Sequence, residues 1–352
     1  MKRMKVLVPC LEGAGGISVL KNLLNILNKN DYDITVVSLL EGQMRKDFEN
    51  MGISVQVEEQ MMSEEFISDL AEEDEVFVNT LQMHSIVQKL NGGTVKVHWW
   101  IHEPPAYFLL CKEMIPEDFF SHLEANVRVY TAGQLVHDHI WNQYGYDAQV
   151  LNFGVEDIAG RMKEGNKEVK DRIRFLLPSF YFDYIKGQDL LLKAITELPQ
   201  EYIEHSEFFF LGYVEEDMQG LYRVIQKLEQ AWGNVHYLSI MEHDKLLETM
   251  NDMDCIIAPS REDATNACIV EGMMLSKICI CSDMTGASRY LQDCVDALIF
   301  PTGNVEELKK RIMLVINSFD ELQAIGKNGR RVYEEVFSEE VFEKRVKEIF
   351  DV

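Results

Sequence analysis

The sequence predicts an α/β protein made of two doubly wound domains with parallel sheets. Three observations carry this. Short β-branched apolar runs alternate with helical periodicity along the chain. The series runs once to about residue 157 and then starts again. The chain has 352 residues, enough for two domains at about 100–200 residues each. Alternation of this kind implies right-handed βαβ units, and so parallel sheets covered by helices on both faces. Domains are expected at 1–160 and 161–337.

In the first series strands are expected at 5–9, 34–39, 75–78, 96–101 and 127–130, with helices between them, including 17–28 and 133–144. In the second, strands fall at 174–177, 207–211, 235–238, 254–257, 278–281 and 297–300. Helices there include 187–197, 217–232, 243–251 and 266–276. Three helices close the chain, at 305–317, 319–334 and 339–350. The polar, glycine-containing stretch Gly154–Lys170 is the linker candidate.

Composition narrows the function. With 47% hydrophobic and 26% charged residues, the chain is globular and not disordered. It carries 34 Lys+Arg against 59 Asp+Glu, a net charge of −25. Both halves share the excess: 11 basic against 24 acidic residues up to 157, and 23 against 35 after it. This excludes the basic footprint of a nucleic-acid binder and broad docking on anionic lipid. An anionic ligand must then be held by local positive potential. No run approaches 18 apolar residues, so no transmembrane helix is expected, and the amino terminus does not read as a signal peptide. Seven cysteines without CxxC spacing fit a reducing cytoplasm. The segment 57–75 holds nine acidic residues and no basic one. It reads as a solvated face or as a docking surface for a basic protein partner.

Four motifs carry candidate chemistry. Glu12-Gly13-Ala14-Gly15-Gly16-Ile17-Ser18 follows the first strand and opens a helix. Small residues there allow close backbone approach, and a helix start offers N–H groups to an anion. A dinucleotide fingerprint needs a third glycine where Ser18 stands, although Glu41 sits where a ribose acid would. Trp99-Trp100-Ile101-His102-Glu103-Pro104-Pro105 ends a strand at the edge where open sheets bind ligands. His102 there reads as a ligand contact, a proton-transfer group or a packed side chain. Arg174–Ser179 leads through Tyr181 to Lys186, placed at a helix start. That position is unfavourable for a lysine unless a phosphate sits there. The most specific motif is Ala258-Pro259-Ser260-Arg261-Glu262-Asp263, then Ala264 through Glu271. Asp263 and Glu271 suit sugar and ribose hydroxyls, and the backbone of Asn266 and Ala267 suits phosphate oxygens. The alternative reading is Asp263 or Thr265 as an N-cap, with Glu271 in a salt bridge.

In order, these motifs resemble retaining, GT-B fold glycosyltransferases of the family-4 type, over nearly the whole chain. The matching elements are Gly15-Gly16, His102, Leu151-Asn152-Phe153-Gly154-Val155, Lys186-Gly187-Gln188-Asp189 through Ala194, and Pro259-Ser260, Asp263, Glu271-Gly272-Met273. The resemblance implies two Rossmann-like domains facing a central cleft, with the donor held mainly by the second. Helix 338–352 would pack back on the first domain. It implies catalytic roles for His102, Asp263 and Lys186. Donor contacts would come from Gly15, Gly16, Ser179, Lys186, Leu238, Ser239, Asn266, Ala267, Cys268 and Glu271. The family's arginine before the lysine is replaced by Tyr181, leaving Arg174 or Arg261 to supply that charge. Its Gly-Phe-Gly after the first acid is Ala264-Thr265-Asn266, and that acid is Asp263 where glutamate is usual.

The expected function is transfer of a sugar from a nucleotide diphosphate sugar, UDP- or GDP-linked, to the hydroxyl of a glycan, lipid-linked glycan or protein. No metal or further cofactor is expected. The setting implied is surface polysaccharide or glycoconjugate synthesis in the cytoplasm, with peripheral association at the inner membrane face compatible. Rival readings are a non-catalytic partner subunit and an NAD-dependent oxidoreductase. Weak signals are Asp252-Met-Asp254, His137-Asp138-His139, and the Cys279 and Cys281 pair, read as core.

Overall fold

The computed structural model describes residues 1–13, 15–162 and 172–352. The chain forms two compact units, Met1–Gly154 with Glu339–Val352, and Val155–Ser338. Residues 155–160 therefore belong with the second unit, not the first. Of the expected linker, 163–170 lies outside the described residues, and Asp157 is tied to Arg330 within the second unit.

The first unit holds seven parallel strands: β1 (Lys2–Val8), β2 (Tyr32–Ser38), β3 (Ser54–Val57), β4 (Glu75–Asn79), β5 (Lys96–Ile101), β6 (Val127–Thr131) and β7 (Gln149–Val150). Their order is β3-β2-β1-β4-β5-β6-β7. Sequence reading missed β3 and β7. Both are edge strands, and exposed edges do not show the continuous apolar run of a strand buried on both faces. The central β4 shows that run, with all five residues buried.

Helix Glu339–Phe350 belongs to this unit. Its Phe342 and Phe350 are fully buried, each contributing about 1.5–3 kcal/mol by burial. Phe350 meets the His98 ring at 4.6 Å and Phe77 at 6.3 Å. Gly154 makes the crossing possible, because a Cβ there would lie 2.6 Å from Phe342 Cβ.

The acidic stretch 57–75 is not a uniform solvated face. Glu75 is buried and accepts hydrogen bonds from the Tyr32 hydroxyl at 3.0 Å and Lys96 Nζ at 3.2 Å. Glu73 pairs with Lys5 at 3.4 Å. The exposed remainder centres on helix Glu64–Leu70, capped by Ser63.

The second unit holds six parallel strands: β8 (Ile173–Tyr181), β9 (Ser206–Tyr213), β10 (Val235–Leu238), β11 (Cys255–Ala258), β12 (Ile278–Ser282) and β13 (Leu298–Phe300), in the order β10-β9-β8-β11-β12-β13. One core of buried side chains, including Phe175, Phe208, Phe210, Ile257 and Ile280, runs through the sheet and its helices. Cys279 and Cys281 lie buried in β12. The carboxylate of Asp254 accepts the Arg174 N–H at 2.8 Å, tying β8 to β11. Helix Phe319–Val332 ends in a π turn at Tyr333–Phe337 where one continuous helix was expected. The Tyr333 hydroxyl there donates to the Val155 carbonyl at 2.7 Å.

Each sheet reverses strand order once, between β1 and β4 and between β8 and β11. The carboxyl ends of strands at such a reversal form the natural ligand crevice of an open α/β sheet.

Candidate functional site

In the first unit three strand ends bring their loops together. After β1, Gly15 takes φ 46° and caps helix Gly16–Asn28. Ala14 of this motif lies outside the described residues. A Cβ on Gly16 would lie 2.9 Å from His102 Cγ, so the glycine lets the imidazole rest against the helix start. After β4, Asn79 bridges the two: its Oδ1 lies 2.9 Å from His102 Nε2, and its Nδ2 donates to the Gly16 carbonyl at 3.5 Å. That amide orientation makes Nε2 of His102 the protonated nitrogen. Burial pushes the His102 imidazole down to about 3, so it is neutral at physiological pH. Glu103 is buried and accepts the Leu81 N–H at 2.8 Å; burial pushes its carboxyl up. Thr80 takes φ 84°, an outlier for a β-branched residue.

Asn79 was missed by sequence reading. Its signal was a polar side chain ending a fully buried strand. Glu41, the ribose acid of the NAD reading, is paired with Arg45 at 2.6 Å.

In the second unit the loops after β8 and β11 zip together. Lys186 ends a 3₁₀ turn (Tyr184–Lys186), and the following helix is Gln188–Thr196, so the lysine precedes the helix start instead of opening it. Gly187 lies between them at φ 75°, and a Cβ there would fall 2.1 Å from the Pro259 carbonyl oxygen. Only glycine allows this approach. The Arg261 N–H donates to the Ile185 carbonyl at 2.7 Å, which completes the zip.

Lys186 Nζ thereby reaches Asp263 Oδ2 at 2.7 Å. Burial disfavours the ammonium, but Asp263 overrides it and holds the lysine charged, above its ordinary value. Asp263 is fixed by its backbone: its N–H donates to the Met284 carbonyl, and its carbonyl accepts from Gly286. A Cβ on Gly286 would strike the Ala264 carbonyl at 1.8 Å.

The N-cap of helix Ala267–Met274 is Asn266, not Asp263 or Thr265; its side chain accepts the Ile269 N–H at 3.1 Å. One turn on, Glu271 is 5% exposed. Its Oε1 accepts from His243 Nε2 at 2.7 Å, and this bond raises the imidazole above its ordinary value. His243 opens helix His243–Asn251 and was missed by sequence reading, because nothing in its own segment signals a carboxylate 28 residues away.

Other expected residues fall as follows. Ser179 is buried in β8 and donates to the Tyr181 carbonyl at 2.6 Å, so its hydroxyl is engaged internally. Leu238 ends β10 and Ser239 follows it, exposed. Ala267 opens the helix and Cys268 follows; burial pushes the Cys268 thiol well up. Neither arginine offered as a substitute phosphate ligand is free for that role. Arg261 holds Asp189 with two bonds, at 2.8 and 2.7 Å, and stacks on the Tyr184 ring. Arg174 pairs with Glu207 at 3.4 Å. Among the described residues, no group of three or more His, Cys, Asp or Glu could hold a metal ion.

The family model "Glycosyl transferases group 1" matches residues 161–332, which span this constellation. The match falls within the second unit and covers just under half of the chain. Two curated relatives, both uncharacterized glycosyltransferases of Methanocaldococcus jannaschii, share 20% identity over 215 residues and 24% over 168 residues. These matches cover 58% and 47% of this chain. The chain spans about half the length of these relatives, 53% and 44%. Among solved structures, Anabaena HepE in complex with UDP-glucose superposes with a TM-score of 0.82 at 13% identity, covering 100% of both chains. This likeness shows the fold alone: two parallel-sheet α/β units of the GT-B kind. No helix of the described residues is long and apolar enough to cross a membrane.

Proposed function

We propose that this chain is a retaining, family-4 type glycosyltransferase that moves a hexosyl or related sugar from a nucleotide diphosphate sugar to an acceptor hydroxyl. The observation that carries this is the convergence, within the matched domain, of Lys186 on Asp263 and of His243 on Glu271. Lys186 would neutralise the donor diphosphate with the N–H groups that Asp263 leaves unused. The helix start at Asn266, Ala267 and Cys268 would add backbone donors. Glu271 would accept the two ribose hydroxyls, with Leu238 and Ser239 framing the base. Asp263 would meet the transferred sugar. HepE's complex with UDP-glucose supports a UDP-sugar as the first donor to test, ahead of a GDP-sugar. In the first unit, the Gly15–Gly16 turn and the neutral His102 imidazole would be ligand contacts at that unit's own strand ends.

The bond between the anomeric carbon and the diphosphate oxygen breaks, and its electron pair stays with the diphosphate. The acceptor oxygen bonds to the same carbon on the same face, and its proton passes to the departing phosphate oxygen. Positioning and charge stabilisation supply the rate enhancement. No metal is needed in this scheme. The proposed setting is cytoplasmic synthesis of a surface polysaccharide or glycoconjugate, at or near the inner membrane face.

The test is donor hydrolysis across UDP-, GDP-, ADP- and dTDP-sugars, with Glu271→Ala beside the wild type. Release of one nucleotide, reduced about 100-fold or more in the variant, is the expected result. One observation favours a second reading, a non-catalytic nucleotide-binding subunit: Arg174 and Arg261 are both spent on internal ion pairs. Nucleotide binding by calorimetry without turnover of any donor would select that reading.

A further inference from the structure

We propose that Asn266 is a positioning residue: its carboxamide locks the Asp263 carboxylate so that Oδ2 is held by the protein and Oδ1 is presented to the donor sugar. This rests on the reading of Asp263 as the sugar-facing acid.

Asn266 adopts φ 72°. Glycine takes this backbone freely, and asparagine and aspartate tolerate it best among the others. A side chain here therefore needs a return. It makes two bonds. Oδ1 accepts the Ile269 N–H at 3.1 Å, which is the helix cap. Nδ2 donates to Asp263 Oδ2 at 3.0 Å. The cap alone could be made by aspartate. The second bond needs an amide N–H, which neither aspartate nor a glycine side chain offers.

Lys186 Nζ falls on the same oxygen, Oδ2, at 2.7 Å. Both donors thus converge on one side of the carboxylate, and Oδ1 accepts neither. The Asp263 backbone is already held on both sides, by Met284 and Gly286. Only rotation of the side chain remains, and the two donors remove it. An ordered carboxylate with one oxygen left for a hydroxyl is pre-organised, which spares reorganisation at the moment of reaction. Asn266 also keeps its grip when Lys186 turns its remaining N–H groups to a diphosphate. Asp263 is one methylene shorter than glutamate, so its usable reach depends on being aimed.

The decisive variant is Asn266→Asp. It keeps the cap acceptor, the volume and the tolerance for positive φ, but sets a carboxylate oxygen where the amide N–H donates. Asn266→Gly keeps the backbone and removes both bonds. The probes are UDP-glucose and, in turn, the glucose donors of GDP, ADP and dTDP, read by calorimetry, by kcat and KM of hydrolysis against pH, and by Tm. For Asn266→Asp the expected result is a Tm close to wild type. Its kcat/KM falls about 10- to 100-fold, mainly in kcat, and the acid limb of its pH profile moves upward because like charges raise carboxyl pKa values. Asn266→Gly should lose both activity and several degrees of Tm. Wild-type kcat, KM and pH profile in Asn266→Asp would reduce Asn266 to a helix cap and overturn the proposal. Asp263→Asn and Glu271→Ala check the underlying reading. If neither alters donor binding or turnover, that reading fails whatever Asn266 does. If wild type binds none of the four donors, both fall.

Discussion

The two units place their candidate site residues at the same point of the same topology and arm them in opposite ways. At the reversal between β1 and β4 the first unit gathers Gly16, Asn79 and His102, a group without net charge whose imidazole is kept neutral by burial. At the reversal between β8 and β11 the second unit gathers Lys186 with Asp263, and His243 with Glu271, pairs in which the carboxylate favours the charged form of its basic partner. The fold supplies the place, and the loops supply the electrostatics. A neutral strand end suits contact with an uncharged part of a ligand. A charge-paired one suits a phosphate and hydroxyls, because an ammonium keeps N–H groups to donate and a carboxylate keeps lone pairs to accept.

The sharpest way to break this comparison is one substitution made in both places. Gly187→Ala drives a Cβ into a backbone carbonyl at 2.1 Å, at positive φ. It is expected to cost roughly 2–4 kcal/mol and to abolish nucleotide binding, measured by urea unfolding and calorimetry. Gly16→Ala first meets side-chain atoms of His102, at 2.9 Å, instead of a backbone carbonyl, and its φ is not positive. It is expected to cost about 1–2 kcal/mol, less than Gly187→Ala. Equal losses would show that the zip between Lys186 and Pro259 is not what assembles the second site.

A milder test follows the two histidines. In imidazole NMR, His102 should stay neutral from pH 8 down to 5, while His243 should titrate above its ordinary 6.5, with Glu271→Ala returning it toward that value. Titration of His102 in that range would end the contrast between a neutral and a charged centre.

The smallest expected effect is on affinity. His243 has a raised folded-state value, so its pair with Glu271 is fully formed below 6.5 and is lost as pH rises through that raised value. Its contribution to stability follows the same sign and is small, because His243 is largely exposed. Releasing Glu271 frees it for ribose, so UDP affinity should rise severalfold with pH across this window. His243→Ala should flatten the slope, as read by calorimetry at three pH values.

Much of this architecture was legible in sequence because a doubly wound sheet writes itself locally. Strands β5 and β10, and helices His243–Asn251, Val305–Asn317 and Glu339–Phe350, match the expected bounds, since buried parallel strands read as apolar runs and helices as amphipathic ones. The edge strands β3 and β7 lacked that contrast. The two lettered signals of the second site, Lys186 before Gly187 and Asp263 eight residues before Glu271, were also visible.

What sequence by itself determined is the kind of protein: two parallel α/β units, acidic throughout, with glycine turns and carboxylates at strand ends. Period, composition and spacing are local properties, and they suffice for that. Only the tertiary structure decided which polar groups are spent and which are aimed. Arg261 went to Asp189, Ser179 to its own strand, Glu75 to the interior, His243 to Glu271, and Asn266 to Asp263. Several of these partners lie many residues apart, and hydrogen bonds of about 3 Å depend on how loops from separate strands pack. The spacing of letters along a chain carries no record of that distance.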